Sequence, residues 1–445
     1  MSFLRLISRT KLYWGLAIIC LIGGLASPHT SSGRNIFLSF NNLTDVLRQV
    51  SITGLVATGM TLVILLGGID LSVGSVMGFS TIICAMLLTQ PGWTPAAIMA
   101  VPAAGIATGF GVGLLARFIF RGLARGRDVD AGRRKEIILG PWRSVRIPVL
   151  LGLVFGATVA VATASQVSTK FGVLAVLLVT PCVALALGAI NGTLIVAGRL
   201  QPFIATLAMM VSALGLGRLT AGQDQAVIAV YTGTNATPAF EMLRSMVWGI
   251  LPMPSVFFLA AILMFGAVLR FTTFGRYIYA IGGNPEAAKL SGIKVAQVQL
   301  AAYMISGLLA GLAGVLFVAQ YRQGKPDAGS GLELDAIAAV VIGGTSLMGG
   351  RGGLAGTFVG VLIFGLLSDI LQLQNIDSNV QLLMKGLIIV GTVLVQEQNL
   401  GQLLARWRSR TPPPSTPTRT GSVEPSRPPK TITTSTARED IHEAS

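Results

Sequence analysis

Ionisable side chains are scarce in this sequence. Charged residues make up 11% of the chain and apolar residues 52%, whereas soluble globular domains carry roughly 25% charged residues. The mean hydropathy is +0.72. This composition excludes an ordinary soluble enzyme and predicts an all-α, polytopic bundle of transmembrane helices.

Residues that commonly carry catalysis or bind metal are also rare, with two histidines and three cysteines. His29 and His442 are too few and too far apart to indicate a zinc centre or a Ser-His-Asp set. Cys20, Cys84 and Cys182 lie in apolar runs without paired spacing, which predicts buried small hydrophobic side chains. We therefore expect no catalytic residue, no metal site and no cofactor.

A phosphate-binding loop is missing as well. Two glycine-rich clusters occur, and neither ends in the Gly-Lys-Ser/Thr of a nucleotide-binding loop. The chain is therefore expected to be no enzyme, and in particular to have no ATPase motif of its own.

Long apolar runs occupy most of the chain. The predicted spans are Leu12–Ala26, Ser51–Gly67, Leu71–Thr89, Ala96–Phe120, Ile147–Ala164, Phe171–Ala197, Phe203–Gly217, Trp248–Leu269, Val298–Ala319, Leu334–Gly344, Leu354–Leu371 and Leu382–Gln396. They number about twelve, and several are shorter than the roughly 20 residues of a straight span. The first run resembles a signal peptide in its small final residues, but the many later spans favour an uncleaved first helix.

Basic residues provide the predicted topology. The net charge is +15, and we attribute it to loops held in the cytoplasm by the positive-inside rule rather than to nucleic-acid binding. From a cytoplasmic N-terminus, the basic segments 117–146 and 270–299 and the C-terminal tail all fall inside. The predicted domains are a membrane domain, 1–404, and a disordered cytoplasmic tail, 405–445, rich in Pro, Ser and Thr. Both termini are expected in the cytoplasm.

Two glycine-rich breaks interrupt the apolar runs. The first, Gly67–Gly74, contains Asp70 and Ser72, and the second, Gly343–Gly350, contains Thr345 and Ser346. Similar spacing of glycine and leucine suggests an internal repeat whose paired helix breaks lie near a transport pathway, after spans that are both short. Asp70 has a second interpretation, favoured over the first, as an N-cap that accepts from the amides of Ser72 or Val73.

Small residues recur at helical spacing in two later runs. Gly352, Gly356 and Gly360 form one series, and Ser306, Gly307, Gly311 and Gly314 form another. Such faces predict close packing between helices.

The loop after the Val298–Ala319 run is predicted to lie outside. Arg322, Lys325 and Asp327 are available there for an external partner, while Glu333 and Asp335 favour the start of the next helix through its dipole.

A short helix is predicted inside the polar segment Arg270–Gln299. Asn284 suits its N-cap, Pro285 its first turn, Glu286 and Lys289 its dipole, and Gly292 its left-handed end. A helix of fewer than about ten residues is unstable alone in water. We therefore expect another surface to pack on it.

Four longer motifs resemble one family. They read GGIDLSVGS from Gly67, LQPFIATLAMM from Leu200, FGRYIYAIGGNPEAAKLSGI from Phe274 and ELDAIAAVVIGGTSLMGGRGG from Glu333. The chain from about Phe40 to Gln396 is similar to the permease subunits of ribose/xylose-type ABC sugar importers. The resemblance implies a core of about ten helices. The two spans beyond that core are expected to be an inserted helix pair joined by a basic loop, at about 96–170.

The resemblance also implies partners. These are a cytoplasmic ABC ATPase, an extracytoplasmic sugar-binding protein, a second permease copy and the lipid of the bacterial inner membrane. Loop 270–297 resembles the ATPase-coupling loop, with matching positions Gly283, Asn284, Glu286, Ala287, Ala288, Leu290, Ser291 and Gly292.

The resulting hypothesis is inward transport of a pentose or hexose, driven by ATP hydrolysed in the partner. Alternatives are a nucleoside, an autoinducer-like sugar derivative or a branched-chain amino acid as substrate. An ion-coupled secondary transporter is a further alternative and would need buried relays, for which Asp70, Asp335 and Asp369 are the candidates.

Overall fold

The computed structural model describes residues 3–89, 173–222 and 227–397, and the single positions 152 and 156. Apart from these two positions, the predicted insertion at about 96–170 and the tail 405–445 lie outside the described residues. Statements about structure below concern the described residues. Residues Met1–Glu397 cluster as one compact unit.

Helices account for most of the described chain. They are α1 Phe3–Ala26, α2 Phe40–Leu65, α3 Val73–Thr89, α4 Val173–Val196, α5 Pro202–Ala221, a 3₁₀ helix Pro238–Arg244, α6 Met253–Phe271, α7 Thr273–Gly283, α8 Pro285–Leu290, α9 Val295–Tyr321, α10 Leu332–Ile342, α11 Leu354–Leu373 and α12 Ser378–Glu397. Six of the described helices are long and apolar enough to cross a membrane, namely α2, α4, α5, α6, α9 and α11. The prediction of an all-α, multi-pass membrane protein is confirmed.

The described residues contain two small β-sheets, each an antiparallel pair of two-residue strands. β1 (Ile228–Ala229) pairs with β4 (Gln323–Gly324), and β2 (Met246–Val247) pairs with β3 (Leu251–Pro252). They lie in the connections between helices, where β1 and β4 join the segment after α5 to the segment after α9.

Helix α2 is longer than the sequence predicted. It begins at Phe40 rather than near Ser51, and the Ser39 hydroxyl caps it by accepting from the amide of Asn42 at 3.3 Å. The polar first turns remain helical because they have partners: the Asn42 Nδ2 donates to Asp369 Oδ2 on α11 at 2.9 Å. The prediction of a short span before the first glycine-rich break is therefore wrong, since α2 has 26 residues. The prediction of a short span before the second break is confirmed, since α10 has 11 residues.

Glycines bring the helices around α9 into close contact. α9 packs against α4, α2 and α3, and its Gly307 lies so close to Ala184 of α4 that an added Cβ would clash with the carbonyl oxygen. On the opposite side, a Cβ built on Gly59 of α2 would lie 2.8 Å from the Ser306 Cα. This contact confirms the predicted small-residue face on α9.

The second small-residue series packs α11 onto α10. Gly356 and Gly360 lie against the backbones of Gly343 and Ala339, with no room for a side chain. Gly352 is a correction to the predicted series, because it precedes α11, has a φ of +127° and packs against Thr345.

The cysteines correct another expectation. Cys84 is buried, as predicted, but Cys20 and Cys182 are exposed and all three are free. Apolar sequence context did not predict burial there, because helices at the edge of the bundle expose apolar side chains as well.

Candidate functional site

The predicted short helix is α8, and its caps are those expected from the sequence. The Asn284 Oδ1 accepts from the amide of Ala287 at 3.0 Å, and Pro285 occupies the first turn. The Ser291 hydroxyl donates to the Ala287 carbonyl at 2.9 Å, and Gly292 ends the helix at a φ of +81°. These local bonds satisfy some of the backbone groups that a six-residue helix leaves open.

Most side chains of α8 have no packing partner within the described chain. Ala288 is 4% exposed and points at the protein, whereas Leu290 is 88% exposed. Glu286, Ala287 and Lys289 are exposed as well. An exposed leucine on a capped helix leaves an apolar surface that another protein can cover.

A separate helix precedes α8, and the sequence analysis did not predict it. α7 runs over Thr273–Gly283, and the Thr272 hydroxyl caps it by accepting from the amide of Gly275 at 3.3 Å. Asn284 is both the C-cap of α7 and the N-cap of α8. The amphipathic pattern TFGRYIYAIGG was the available signal, but it was assigned to the loop.

Three glycine pairs meet at one place, which we call the glycine junction: Gly67–Gly68, Gly282–Gly283 and Gly349–Gly350. The Gly350 amide donates to the Leu65 carbonyl at 2.9 Å, and a Cβ built on Gly349 would lie 2.8 Å from the Gly67 nitrogen. The two predicted helix breaks are therefore in direct contact, and the end of α7 lies against both. Their equivalence as an internal repeat stays a prediction.

Asp70 lies in a buried polar cluster rather than at an exposed interface. Its side chain is 1% exposed. Its Oδ1 accepts from the Ser72 amide at 3.1 Å and the Ser72 hydroxyl at 2.6 Å, and its Oδ2 accepts from the Ser306 hydroxyl at 2.8 Å. The predicted bond to the Ser72 amide is present. The cluster extends to α4, because the Asn191 Nδ2 donates to the Ser72 hydroxyl at 2.8 Å.

Ser306 and Asn191 are members of this cluster that sequence reasoning did not assign to it. Asn191 is fully buried in the apolar helix α4, and a polar amide in such a run was a usable signal. Nothing local indicated that it meets Ser72, which is 119 positions away.

The second break has its own polar bonds. Thr345 is fully buried, while the Ser346 hydroxyl accepts from the Met348 amide at 3.3 Å. The Ser346 amide also donates to the Arg351 carbonyl at 2.9 Å, which closes the turn. The pathway role suggested for Asp70, Ser72, Thr345 and Ser346 stays a prediction.

The other two candidate relay carboxylates also have partners. The Asp335 Oδ2 lies 2.9 Å from the Lys385 Nζ, in an ion pair between α10 and α12. Asp369 accepts from Asn42, as described above. Each carboxylate thus joins two helices.

An ion-pair network holds the segment between α5 and α6 to the end of α9. Glu241 accepts from Arg322 at 3.0 Å and from the Thr232 hydroxyl at 2.8 Å. The Thr232 hydrogen bond, followed by the bond and charge of Arg322, lowers the pKa of the Glu241 carboxyl below its ordinary value. Lys325 and Asp327 pair with each other at 3.4 Å. Three of the side chains expected to meet an external partner are therefore paired within the chain.

Comparison with known proteins identifies the family. The chain matches the family described as "Branched-chain amino acid transport system / permease component" over residues 42–121 and 144–393. This match covers most of the chain. The chain belongs to this permease family. The predicted resemblance is confirmed, because the relatives of this chain include ribose and xylose permeases.

Two relatives illustrate the similarity of this permease to curated proteins. It is 33% identical to the ribose import permease protein RbsC of Bacillus subtilis, over 87% of this chain and 92% of the relative. It is 34% identical to the xylose transport system permease protein XylH of Escherichia coli, over 80% of this chain and 84% of the relative. No solved structure matches the chain.

Proposed function

We propose that this permease is the membrane-spanning subunit of an ABC importer in the bacterial inner membrane, with both termini in the cytoplasm. It carries a monosaccharide inward, and a partner subunit hydrolyses the ATP. Two permease copies form the pathway between them. An extracytoplasmic binding protein delivers the sugar to the outer face.

Helix α8 carries this proposal. Both of its ends are capped by its own chain, yet Leu290 is 88% exposed and Ala288 is its one buried residue. Exposed apolar surface beside charged Glu286 and Lys289 suits a protein partner that supplies the missing packing. A groove on the ATPase is such a partner, and the match of positions 283–292 to the coupling loop of ribose/xylose-type importers supports it.

Sugar is the favoured substrate class because the relatives named above are ribose and xylose permeases. The description of the family model favours one second candidate, a branched-chain amino acid. The relatives weigh more than the family description, because each is a single named protein that is 33% or 34% identical to this chain over at least 80% of it.

Uptake into proteoliposomes tests the proposal. The permease is reconstituted with its partner ATPase and binding protein, and radiolabelled D-ribose, D-xylose and L-leucine are offered separately. We expect ATP-dependent accumulation of a pentose and none of leucine. The matched control replaces the ATPase by a variant that binds ATP without hydrolysing it. Uptake that persists with this control overturns the ATP-driven mechanism, and accumulation of leucine alone overturns the substrate class.

A further inference from the structure

The backbone of Gly282 touches both helix breaks at once. A Cβ added to Gly282 would clash with the Leu65 carbonyl oxygen at the end of α2 and with the Gly350 amide nitrogen before α11. The hydrogen bond from Gly350 to Leu65 runs between these same two groups. Gly282 therefore covers the bond that ties the two breaks together.

Motion of α8 reaches Gly282 without a flexible linker. Asn284 caps both α7 and α8, and its amide donates to the Ala280 carbonyl at 3.1 Å. A second contact runs from α7 to the break before α11, because the Tyr279 hydroxyl donates to the Gly352 carbonyl at 3.0 Å. A connection of one residue links α7 to α8, and two contacts link α7 to the breaks. α7 can therefore transmit movement of α8 to the breaks.

The first break is tied onward to the interior of the bundle. Gly67 and Gly68 are followed by Asp70, whose carboxylate accepts from Ser306 of α9 and, through Ser72, is linked to Asn191 of α4. A shift of the first break is therefore transmitted to α4 and α9 through these hydrogen bonds. No side chain is needed at the contact with α7, where bare backbone fits between the two loops.

We propose that Gly282 is a positioning residue that transmits movement of α8 to both helix breaks through the glycine junction. This inference rests on the proposed function, since an ATPase must move α8. In this proposal, Gly282 connects the ATPase-binding surface of α8 to the two helix breaks.

Gly266 on α6 provides a control outside the coupling loop. A Cβ built on it meets nothing within 4 Å. Gly282→Ala and Gly266→Ala therefore add the same methyl group to a helix. The first must displace the junction, and the second leaves it unchanged.

Hydrogen–deuterium exchange on the permease assembled with its ATPase and binding protein tests the inference without a known substrate. Exchange is compared with and without ATP, using an ATPase variant that binds ATP but does not hydrolyse it. In the wild type and in Gly266→Ala, we expect exchange to change together in α8 and in both breaks, 65–70 and 347–353. In Gly282→Ala, we expect the change in α8 to remain and the change in both breaks to be lost.

Two results overturn the inference: breaks that do not respond in the wild type while α8 does, or breaks that respond equally in Gly282→Ala. If Gly282→Ala fails to fold, wild-type breaks that do not respond while α8 does still overturn the inference. A wild-type permease that binds no ATPase overturns the proposed function instead, and the inference with it. Transport provides the second readout: Gly282→Ala should lower solute carried per ATP by about tenfold, at an unchanged ATPase rate.

Discussion

Asp70 is a fully buried carboxylate in a membrane protein, and its surroundings explain why it is tolerated. Three donors from Ser72 and Ser306 hydrogen-bond to its two oxygens. Hydrogen bonds to a charged group are stronger than neutral ones, and an unmatched buried donor carries a desolvation cost. The carboxylate therefore holds the first break against α9 and, through Ser72, against α4.

Removal of this carboxylate should destabilise the permease. Asp70→Ala leaves the Ser72 and Ser306 donors unsatisfied in the interior, for an expected loss of about 2–4 kcal/mol of unfolding free energy. Asp70→Asn should cost less, because its amide oxygen still accepts from Ser72 while the Ser306 hydroxyl rotates to accept from the amide nitrogen. Unfolding in mixed detergent micelles, followed by tryptophan fluorescence, measures both.

Asp45 supplies the control for this comparison. It pairs with Arg48 at 2.7 Å, but its side chain is 67% exposed, so Asp45→Ala should cost less than about 1 kcal/mol. Equal losses for Asp70→Ala and Asp45→Ala would contradict the role given to the buried cluster.

Only part of the Asp70 cluster was predictable from the sequence. The spacing Asp-x-Ser indicates a local bond to the Ser72 amide, and that bond is present. The bond to Ser306 joins residues 236 positions apart, and no local pattern specifies such a pair. The same holds for Gly282, whose neighbours at the junction are brought to it by three different segments.

Among the helices, one close contact that a single substitution addresses lies between α4 and α9. Gly307 leaves no space beside Ala184, so a larger residue must push the helices apart. Gly307→Val should cost about 1–3 kcal/mol by overpacking. Thermal denaturation followed by size-exclusion chromatography gives the loss.

Gly266 on α6 is the matched helical control, since a Cβ built there meets nothing within 4 Å. Gly266→Ala should be neutral or stabilising, by up to about 1 kcal/mol, because alanine favours the helix. A Gly307→Val variant as stable as Gly266→Ala would show that the contact between α4 and α9 is looser than described.

The segment between α5 and α6 should respond to pH through Glu241. Its pKa is lowered in the folded state, first by the Thr232 hydroxyl and then by Arg322. A lowered carboxyl pKa stabilises the fold above the ordinary pKa, and the stabilisation is lost as the pH falls through the folded value. Glu241→Gln should therefore increase proteolysis or amide exchange of 227–252 at neutral pH.

The difference between wild type and Glu241→Gln should shrink as the pH falls through the lowered folded-state pKa of Glu241, because the wild-type carboxyl then becomes protonated. Amide exchange at neutral pH and through this acidic range, corrected for the intrinsic rate, measures the change. A difference that is unchanged at the lower pH would exclude ionisation of Glu241 as its cause.

Helices with long, uniform apolar runs were predicted best from the sequence. Uniform apolar runs such as Val298–Ala319 gave α9, at Val295–Tyr321, within a few residues. The caps of α8 were readable because Asn-Pro-Glu and Ser-Gly form a local pattern. α7 was missed because its amphipathic pattern was assigned to the loop. The start of α2 was missed because its polar residues gain partners from another helix, which a hydropathy pattern does not contain.

For the whole molecule, family membership follows from long motifs and is confirmed over most of the chain. The all-α membrane fold was predictable from composition alone. The predicted insertion at about 96–170 and the tail lie outside the described residues, apart from positions 152 and 156, so their structure and role stay predictions.

The central claim is that α8 is the surface on which an ATPase acts. The most direct measurement is co-purification of the ATPase with a tagged permease after co-expression, followed by ATP-driven uptake in proteoliposomes. The test variant combines Glu286→Lys with Ala287→Trp, which reverses a charge and adds bulk on the exposed side of α8. Asp45→Lys reverses an exposed charge elsewhere and serves as the control. We predict that the wild type and Asp45→Lys retain the ATPase and uptake and that the double variant loses both. A double variant that keeps both would contradict the account.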